Sequence, residues 1–328
     1  MMRRGALLLA VATFALAGAL AVLLAACGSS PAPVTSPRPP EKVSLQLNWF
    51  HEAEFAGYYA ADAQGFYRDA GLDVTILEGG PGDPAIESLQ RGDVTFAVSS
   101  FGEQKEAVAA GGDTVAVMAA FQIPPLVIFS PVAAGVSEPA DLAGRRVGVT
   151  TDYWKAILEQ TLKGAGVDPS RVQQVEVDPE DLTPLYDGGV DAWLGYAQDE
   201  PIHAAMAGHP VTTIFPADYG VGGYEGLVLA RWGTIVGDPG LVRRFVQASQ
   251  KGWRYAVEHP DEAARVLRRW APESLAFQKA AVLAVGPLVD APQVPIGWIS
   301  RERWKKLMGS AYSAARPGYT MSFTAAER

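Results

Sequence analysis

Cysteine is almost absent: Cys27 is the only one in 328 residues. That excludes internal disulfides and cysteine-built metal sites. Histidine is scarce too, and His51, His203, His209 and His259 show no metal-ligand spacing. No metal and no cofactor is therefore expected. No Walker loop, GxSxG or HExxH motif occurs, and HEAEF at 51–55 lacks the second histidine of the last of these. Basic charge is short, with 27 Lys and Arg against 36 Asp and Glu, a net charge of −9. That balance argues against nucleic acid as a partner. Long uncharged apolar stretches are lacking, with one exception.

The exception runs from Gly5 to Ala26, after MMRRG and up to the sequence LAAC at 24–27. A short basic start followed by an apolar run reads as a secretory signal, although its length alone would also suit a membrane anchor. Leu24-Ala25-Ala26-Cys27 resembles a bacterial lipobox, in which the cysteine becomes the lipidated first residue. The Pro/Ser-rich segment after it, GSSPAPVTSPRPPEK, reads as a semi-rigid tether. The expected organisation is a lipoprotein signal peptide at 1–26, a tether at 27–42 and a folded body from Val43. That places the body outside the cytoplasm, tied to the membrane by lipid on Cys27.

Within the body, strand and helix patterns alternate. LQLNW (45–49), LDVTIL (72–77), DVTFAVS (93–99), TVAVM (114–118) and LVIFS (126–130) read as strands, with helices at 55–70, 84–91 and 103–110 between them. A second set follows: RRVGV (145–149), VQQVEV (172–177), VDAWL (190–194), VTTIF (211–215) and GLVLA (226–230). Asp152 is placed to cap a helix beginning at Tyr153. From Pro239 to Ala315 the pattern is helical, with proline breaks. The alternation predicts an α/β protein with mostly parallel sheets. The arrangement helix, glycine, aspartate, apolar strand occurs at 85–100 and again at 182–196, one unit for each of two similar lobes. Two facing lobes make a cleft that can close on a solute.

Three stretches carry a family resemblance: LNWFHEAEFAGYYAADAQGFYRDAGLDVTI (47–76), GVDAWLGYAQDEP (189–201) and DYGVGGYEGLVLA (218–230). They resemble ABC-transporter substrate-binding proteins of the thiamine-pyrimidine-synthase-like group, over roughly Val43 to Arg231. The resemblance implies a two-lobed periplasmic-binding-protein fold of type II with two crossovers, near Phe129–Val132 and Leu227–Arg231. The lobes would then be 43–130 with 231–328, and 131–230. It also implies a monomer that hands a small-molecule solute to ABC permease and ATPase subunits, a membrane sensor being the other possible partner. Ligands of the group include thiamine pyrimidine precursors, riboflavin and sulfonates. Its yeast-type enzymes carry a cysteine-rich iron motif, which this sequence lacks.

The stretch NWFHEAEFAGYY (48–59) follows the first strand and so lies at the cleft edge. Trp49 and Phe50 can offer ring faces to a planar heterocycle, while Asn48 and Glu54 can read its nitrogens. Tyr58 is a candidate for the same wall, with helix core as the competing reading. On the facing lobe Trp193 and Tyr196 leave a strand end, Glu200 opens a helix, and Tyr224 sits in a glycine-rich loop. Ser99, Gln122, Thr151 and Tyr153 are further candidate hydrogen-bonders. Many aromatics and few cleft cations favour a heteroaromatic vitamin or precursor over a sulfonate. Riboflavin leads a thiamine pyrimidine by a small margin, because the aromatics fall on both lobes. An enzyme making the pyrimidine is the alternative from another class, and the missing cysteines oppose it.

Overall fold

A computed structural model describes residues 39–325 apart from 83, 180, 292 and 293. The signal peptide, Cys27 and nearly all of the tether lie outside the described residues. Among those described, no helix is long and apolar enough to cross a membrane.

Among the described residues ten strands form two five-stranded sheets. They are β1 (Glu41–Gln46), β2 (Leu72–Leu77), β3 (Phe96–Ser99), β4 (Thr114–Phe121), β5 (Leu126–Pro131), β6 (Arg146–Val149), β7 (Gln173–Glu176), β8 (Ala192–Tyr196), β9 (Val211–Ile214) and β10 (Glu225–Arg231). The first sheet has the order β2-β1-β3-β10-β4 and the second β7-β6-β8-β5-β9. Each contains a parallel trio, β2-β1-β3 or β7-β6-β8, followed by an antiparallel strand from the other half of the chain. The sheets are therefore mixed rather than mostly parallel. The repeated sequence unit ends in β3 in one sheet and β8 in the other, and these occupy the same position.

The sheet assignments shift both expected lobe boundaries. β5 pairs with β8 and β9, so the chain has already crossed to the second sheet before Leu126. β10 pairs with β3 and β4, so it has returned to the first sheet by Glu225. The crossings fall at 122–125 and 215–224. Both exchanged strands are apolar and buried, and hydrophobicity cannot say which sheet an apolar strand joins. The local signals are Pro124-Pro125, which interrupts β pairing, and Gly220, Gly222 and Gly223, the first two at positive φ.

Pro239–Glu258 is a 20-residue helix whose Leu241, Val242, Phe245, Ser249, Gly252 and Trp253 form one buried face. Phe245 stacks on Phe96 of β3 at 4.0 Å and on Tyr67 at 5.5 Å. This helix crosses the helix Ala56–Ala63 at a glycine pair. A Cβ on Gly252 would lie 2.1 Å from the Gly57 carbonyl oxygen, and one on Gly57 would lie 2.1 Å from the Trp253 ring. The helical tail thus belongs to the first lobe and fixes the segment that follows β1. Pro287 was expected to break a helix, yet it lies within Leu275–Val289. Two residues remain after it, so little of the helix is lost.

Candidate functional site

The chain leaves β1 through Leu47 and turns sharply. Gly79 N–H donates to the Trp49 carbonyl at 3.0 Å, and His51 N–H donates to Glu78 at 3.1 Å. A Cβ on Gly79 would sit 2.0 Å from the Leu47 carbonyl oxygen, so only glycine allows this closure. The turn leaves Trp49 43% exposed and carries Glu52 and Glu54 into a cleft of about 720 Å³ between the lobes.

The first lobe lines the cleft with Asn48, Trp49, Glu52, Glu54, Ser100, Glu103 and Glu225, together with Gly80, Pro81, Pro84, Ala85 and Ile86. Ser100 and Glu103 make a capping box that opens the helix Phe101–Ala109. The second lobe contributes Thr150, Thr151, Tyr153, Trp154, Tyr196, Asp199 and Glu200. Thr151, rather than Asp152, caps the helix Asp152–Gly164, and Asp152 pairs with Lys155 at 3.1 Å. Tyr153, Trp154 and Tyr196 form an edge-to-face ladder with centroid spacings of 5.4 and 5.2 Å. Glu200 folds back to accept the Tyr196 N–H at 2.8 Å. Gly195 makes room for it, since a Cβ there would meet the carboxylate at 2.5 Å.

Of the residues predicted for the site, Asn48, Trp49, Glu54, Thr151, Tyr153, Tyr196 and Glu200 line this cleft. The others lie elsewhere. Phe50 packs on Gly80 and faces a side chamber. Tyr58 is buried edge-on to Trp253, and Trp193 is in the second lobe's core. Ser99 is buried and donates to Glu103, while Gln122 donates to the Ala119 and Trp298 carbonyls. Tyr224 accepts from Ser300 N–H and lies under the Arg303 guanidinium at 4.2 Å. Tyr58 and Trp193 share one cause: a large ring at a sheet end or on a helix reads alike whether it points inward or outward. Sequence reasoning passed over Glu52, Glu103, Trp154 and Asp199. The pair of acids two apart in HEAEF and the Ser-x-x-Glu cap were the signals for the first two.

The lining is strongly acidic. Burial raises Glu52 well above the usual carboxylate range, helped by Glu54 and Asp199. Burial likewise raises Glu54, which is hydrogen-bonded to Glu52. Glu225 is raised well above its ordinary value by burial and by Glu54 and Glu103. Glu200 is pushed up to about 7, by burial first and Asp199 second. The side chamber, about 380 Å³, shares Trp49, Glu52 and Asp199 with the cleft and adds His51, Gln198, Trp270 and Gln278. His51 Nδ1 and the Tyr59 hydroxyl are hydrogen-bonded at 2.8 Å, and burial lowers the His51 pKa against the pull of Glu78. Among the described residues no group of His, Cys, Asp and Glu is arranged to hold a metal ion.

Two lobes of mixed sheet, joined by two crossings and enclosing a polar cleft, define the periplasmic-binding-protein fold. The periplasmic aliphatic sulphonate binding protein SsuA from Escherichia coli superposes with a TM-score of 0.66 at 18% identity, covering 83% of this chain and 86% of that one. The family model described as NMT1/THI5 like matches residues 52–263, and the chain belongs to that family. Its relatives divide by activity. A formylaminopyrimidine-binding protein from Halalkalibacterium halodurans is 28% identical over 82% of this chain and 84% of its own length. The riboflavin-binding protein RibY of Chloroflexus aurantiacus is 26% identical over 78% of each chain. A 4-amino-5-hydroxymethyl-2-methylpyrimidine phosphate synthase from Legionella pneumophila is 25% identical over 71% of this chain and 74% of its own.

Proposed function

We propose that this chain is an extracytoplasmic solute receptor, anchored by lipid on Cys27, that delivers a planar nitrogen heterocycle to the permease and ATPase of an ABC importer. It acts without catalysis and as a monomer. The observation that carries this reading is the cleft itself. One wall offers the ring faces of Tyr153, Trp154 and Tyr196, and the other offers Asn48 and glutamates beside Trp49. Stacking supplies affinity, and the buried polar groups supply selectivity.

A thiamine pyrimidine precursor now ranks ahead of riboflavin. The margin for riboflavin rested on aromatics on both lobes, and on the first lobe Trp49 is the one aromatic among the described lining residues, with Phe50 turned to the side chamber and Tyr58 and Tyr224 buried. A flavin also presents carbonyl oxygens along its pyrimidine edge, whereas an aminopyrimidine brings N–H groups to a lining rich in acceptors. A sulfonate ranks last, since its charge would face glutamates. The synthase reading draws support from the relative in Legionella. Against it, Cys27 is the only cysteine, and of the histidines near the cleft, His51 is held by Tyr59 and packed on Trp270 at 4.8 Å, while His203 pairs with Asp199 at 3.2 Å.

The test is calorimetry of the full chain in mild detergent, titrated with formylaminopyrimidine, riboflavin and an aliphatic sulfonate. The expected result is saturable pyrimidine binding, micromolar or tighter. Binding of the sulfonate alone would overturn the heterocycle. Formation of a pyrimidine phosphate by the purified chain would overturn the receptor.

A further inference from the structure

Six carboxylates line the cleft, Glu52, Glu54, Glu103, Asp199, Glu200 and Glu225, and none of the described lining residues is Lys, Arg or His. Some of these acids are satisfied within the protein. Glu103 accepts from Ser99 Oγ, Ser100 N–H and Ser100 Oγ at 2.8–3.1 Å. Glu200 accepts from Tyr196 N–H, and Asp199 lies 3.2 Å from His203 Nε2. The remainder have fewer partners among the described residues. There Glu52 receives a long contact, 3.4 Å, from Gln198 Nε2, besides its bond with Glu54. The charges that Glu225 meets are like charges, Glu54 and Glu103.

A second observation points the same way. Asn48 Oδ1 and Gln198 Oε1 are buried and have no hydrogen-bond partner among the described residues. Gln198 is only 2% exposed and stands beside Glu52 where the cleft meets the side chamber. Buried acceptors left unpaired are costly. Asn48 Oδ1 and Gln198 Oε1 can accept but not donate, so what fills those positions must donate.

We propose that the solute is a cation: a planar nitrogen base carrying positive charge, with its N–H edge set against Glu52, Glu54 and Asn48 and its ring against Tyr153 and Tyr196. This rests on the receptor reading and adds the charge of the ligand to it. In the empty cleft burial favours the protonated form of Glu52, Glu54 and Glu225. Entry of the cation reverses that preference, so carboxyl O–H protons leave to solvent as N–H···O⁻ contacts form. The groups facing the Glu52–Glu54 pair are Glu103 and Glu225 on its own lobe, Asp199 with His203 behind it, Glu200, Tyr153 and Tyr196 opposite, and His51, Glu78 and Glu273 in the side chamber. Of these only the two histidines can carry positive charge: burial disfavours it at His51, and at His203 it is taken up by Asp199.

Three probes with the same phenyl ring and head groups of different charge separate the possibilities: benzamidine, a cation; benzamide, neutral; and benzenesulfonate, an anion. With the full chain at pH 7, benzamidine is expected to bind about tenfold or more tighter than benzamide, the usual advantage of a charge-assisted hydrogen bond. Benzenesulfonate is expected to give no heat. The benzamidine enthalpy is expected to vary with the ionisation heat of the buffer, which reports protons released. Glu54→Gln and, separately, Glu225→Gln are expected to narrow the benzamidine-to-benzamide ratio. Benzamide or benzenesulfonate binding as tightly as benzamidine overturns the cation. If riboflavin or a sulfonate binds while benzamidine does not, the cation falls and the receptor stands. If no solute of any charge binds, both fall.

Discussion

The wall built on the first sheet presents Glu52, Glu54, Glu103 and Glu225 around one exposed indole, Trp49. The wall built on the second presents three aromatic rings in contact, together with Thr150, Thr151, Asp199 and Glu200. Stacking on rings demands little beyond dry, flat surface. Gathering carboxylates demands close backbone control, and the first lobe shows it: Gly79 pressed on a carbonyl, a capping box at Ser100, and a glycine-to-glycine helix crossing behind the turn. The second lobe makes such concessions too, at Gly195 behind Glu200 and at Gly164, where a Cβ would lie 2.2 Å from the Tyr219 carbonyl oxygen. Crowded like charge is the costly half of the site, and in the first lobe the bracing lies directly behind the turn that carries it.

Four measurements test this contrast. The strongest strikes the footing of the acidic wall. Gly252→Val forces a side chain onto the Gly57 carbonyl and should cost about 3 kcal/mol in urea denaturation. It should also displace the turn that carries Glu54. Next, Arg303 donates to the carbonyls of Gln122 at 2.6 Å and Gly223 at 2.9 Å, one on each crossing. Arg303→Ala should cost about 2 kcal/mol by leaving those carbonyls unpaired, and should loosen solute binding although it touches neither wall.

The third measurement reads the acids directly. Glu200 is raised to about 7 in the folded chain, and Glu225 is raised as well. Between the ordinary carboxylate value and about pH 7, the folded protein therefore binds protons that the unfolded chain has released. Stability of the empty protein should fall as pH rises through that window. Thermal melts at several pH values should show the slope, and Glu200→Gln should flatten it. The mildest change is on the aromatic wall. Tyr153 is 49% exposed, so Tyr153→Ala should barely move the melting temperature. It should weaken heterocycle binding by up to about tenfold, the worth of one stacked ring.

Much of the frame was legible in the sequence because it rests on periodicity and glycine punctuation. β2 lies at 72–77 as expected, and the repeated helix–glycine–strand unit does occupy matching places in the two sheets. The lobe boundaries were not legible. β5 and β10 are apolar whichever sheet they join, and only pairing distinguishes the choices. Within the site, the chain direction after β1 identified Asn48, Trp49 and Glu54. Whether a ring turns to core or cleft was hidden, because Trp193 and Tyr196 leave the same strand and point to opposite faces. Glu103 was hidden for a different reason: a helix cap and a cleft wall call for the same residue.

Arg303 also has a consequence for the order of assembly. Both crossings leave the ribosome long before it does. Until it arrives, the carbonyls of Gln122 and Gly223 have no guanidinium between them. The second wall can fold in that interval, but the first still lacks Trp304, Met308 and Phe323 from its core, and the joint between them is untied. The C-terminal segment closes last, so a chain cut short before it would lose the tie between the crossings and part of the first lobe's core together.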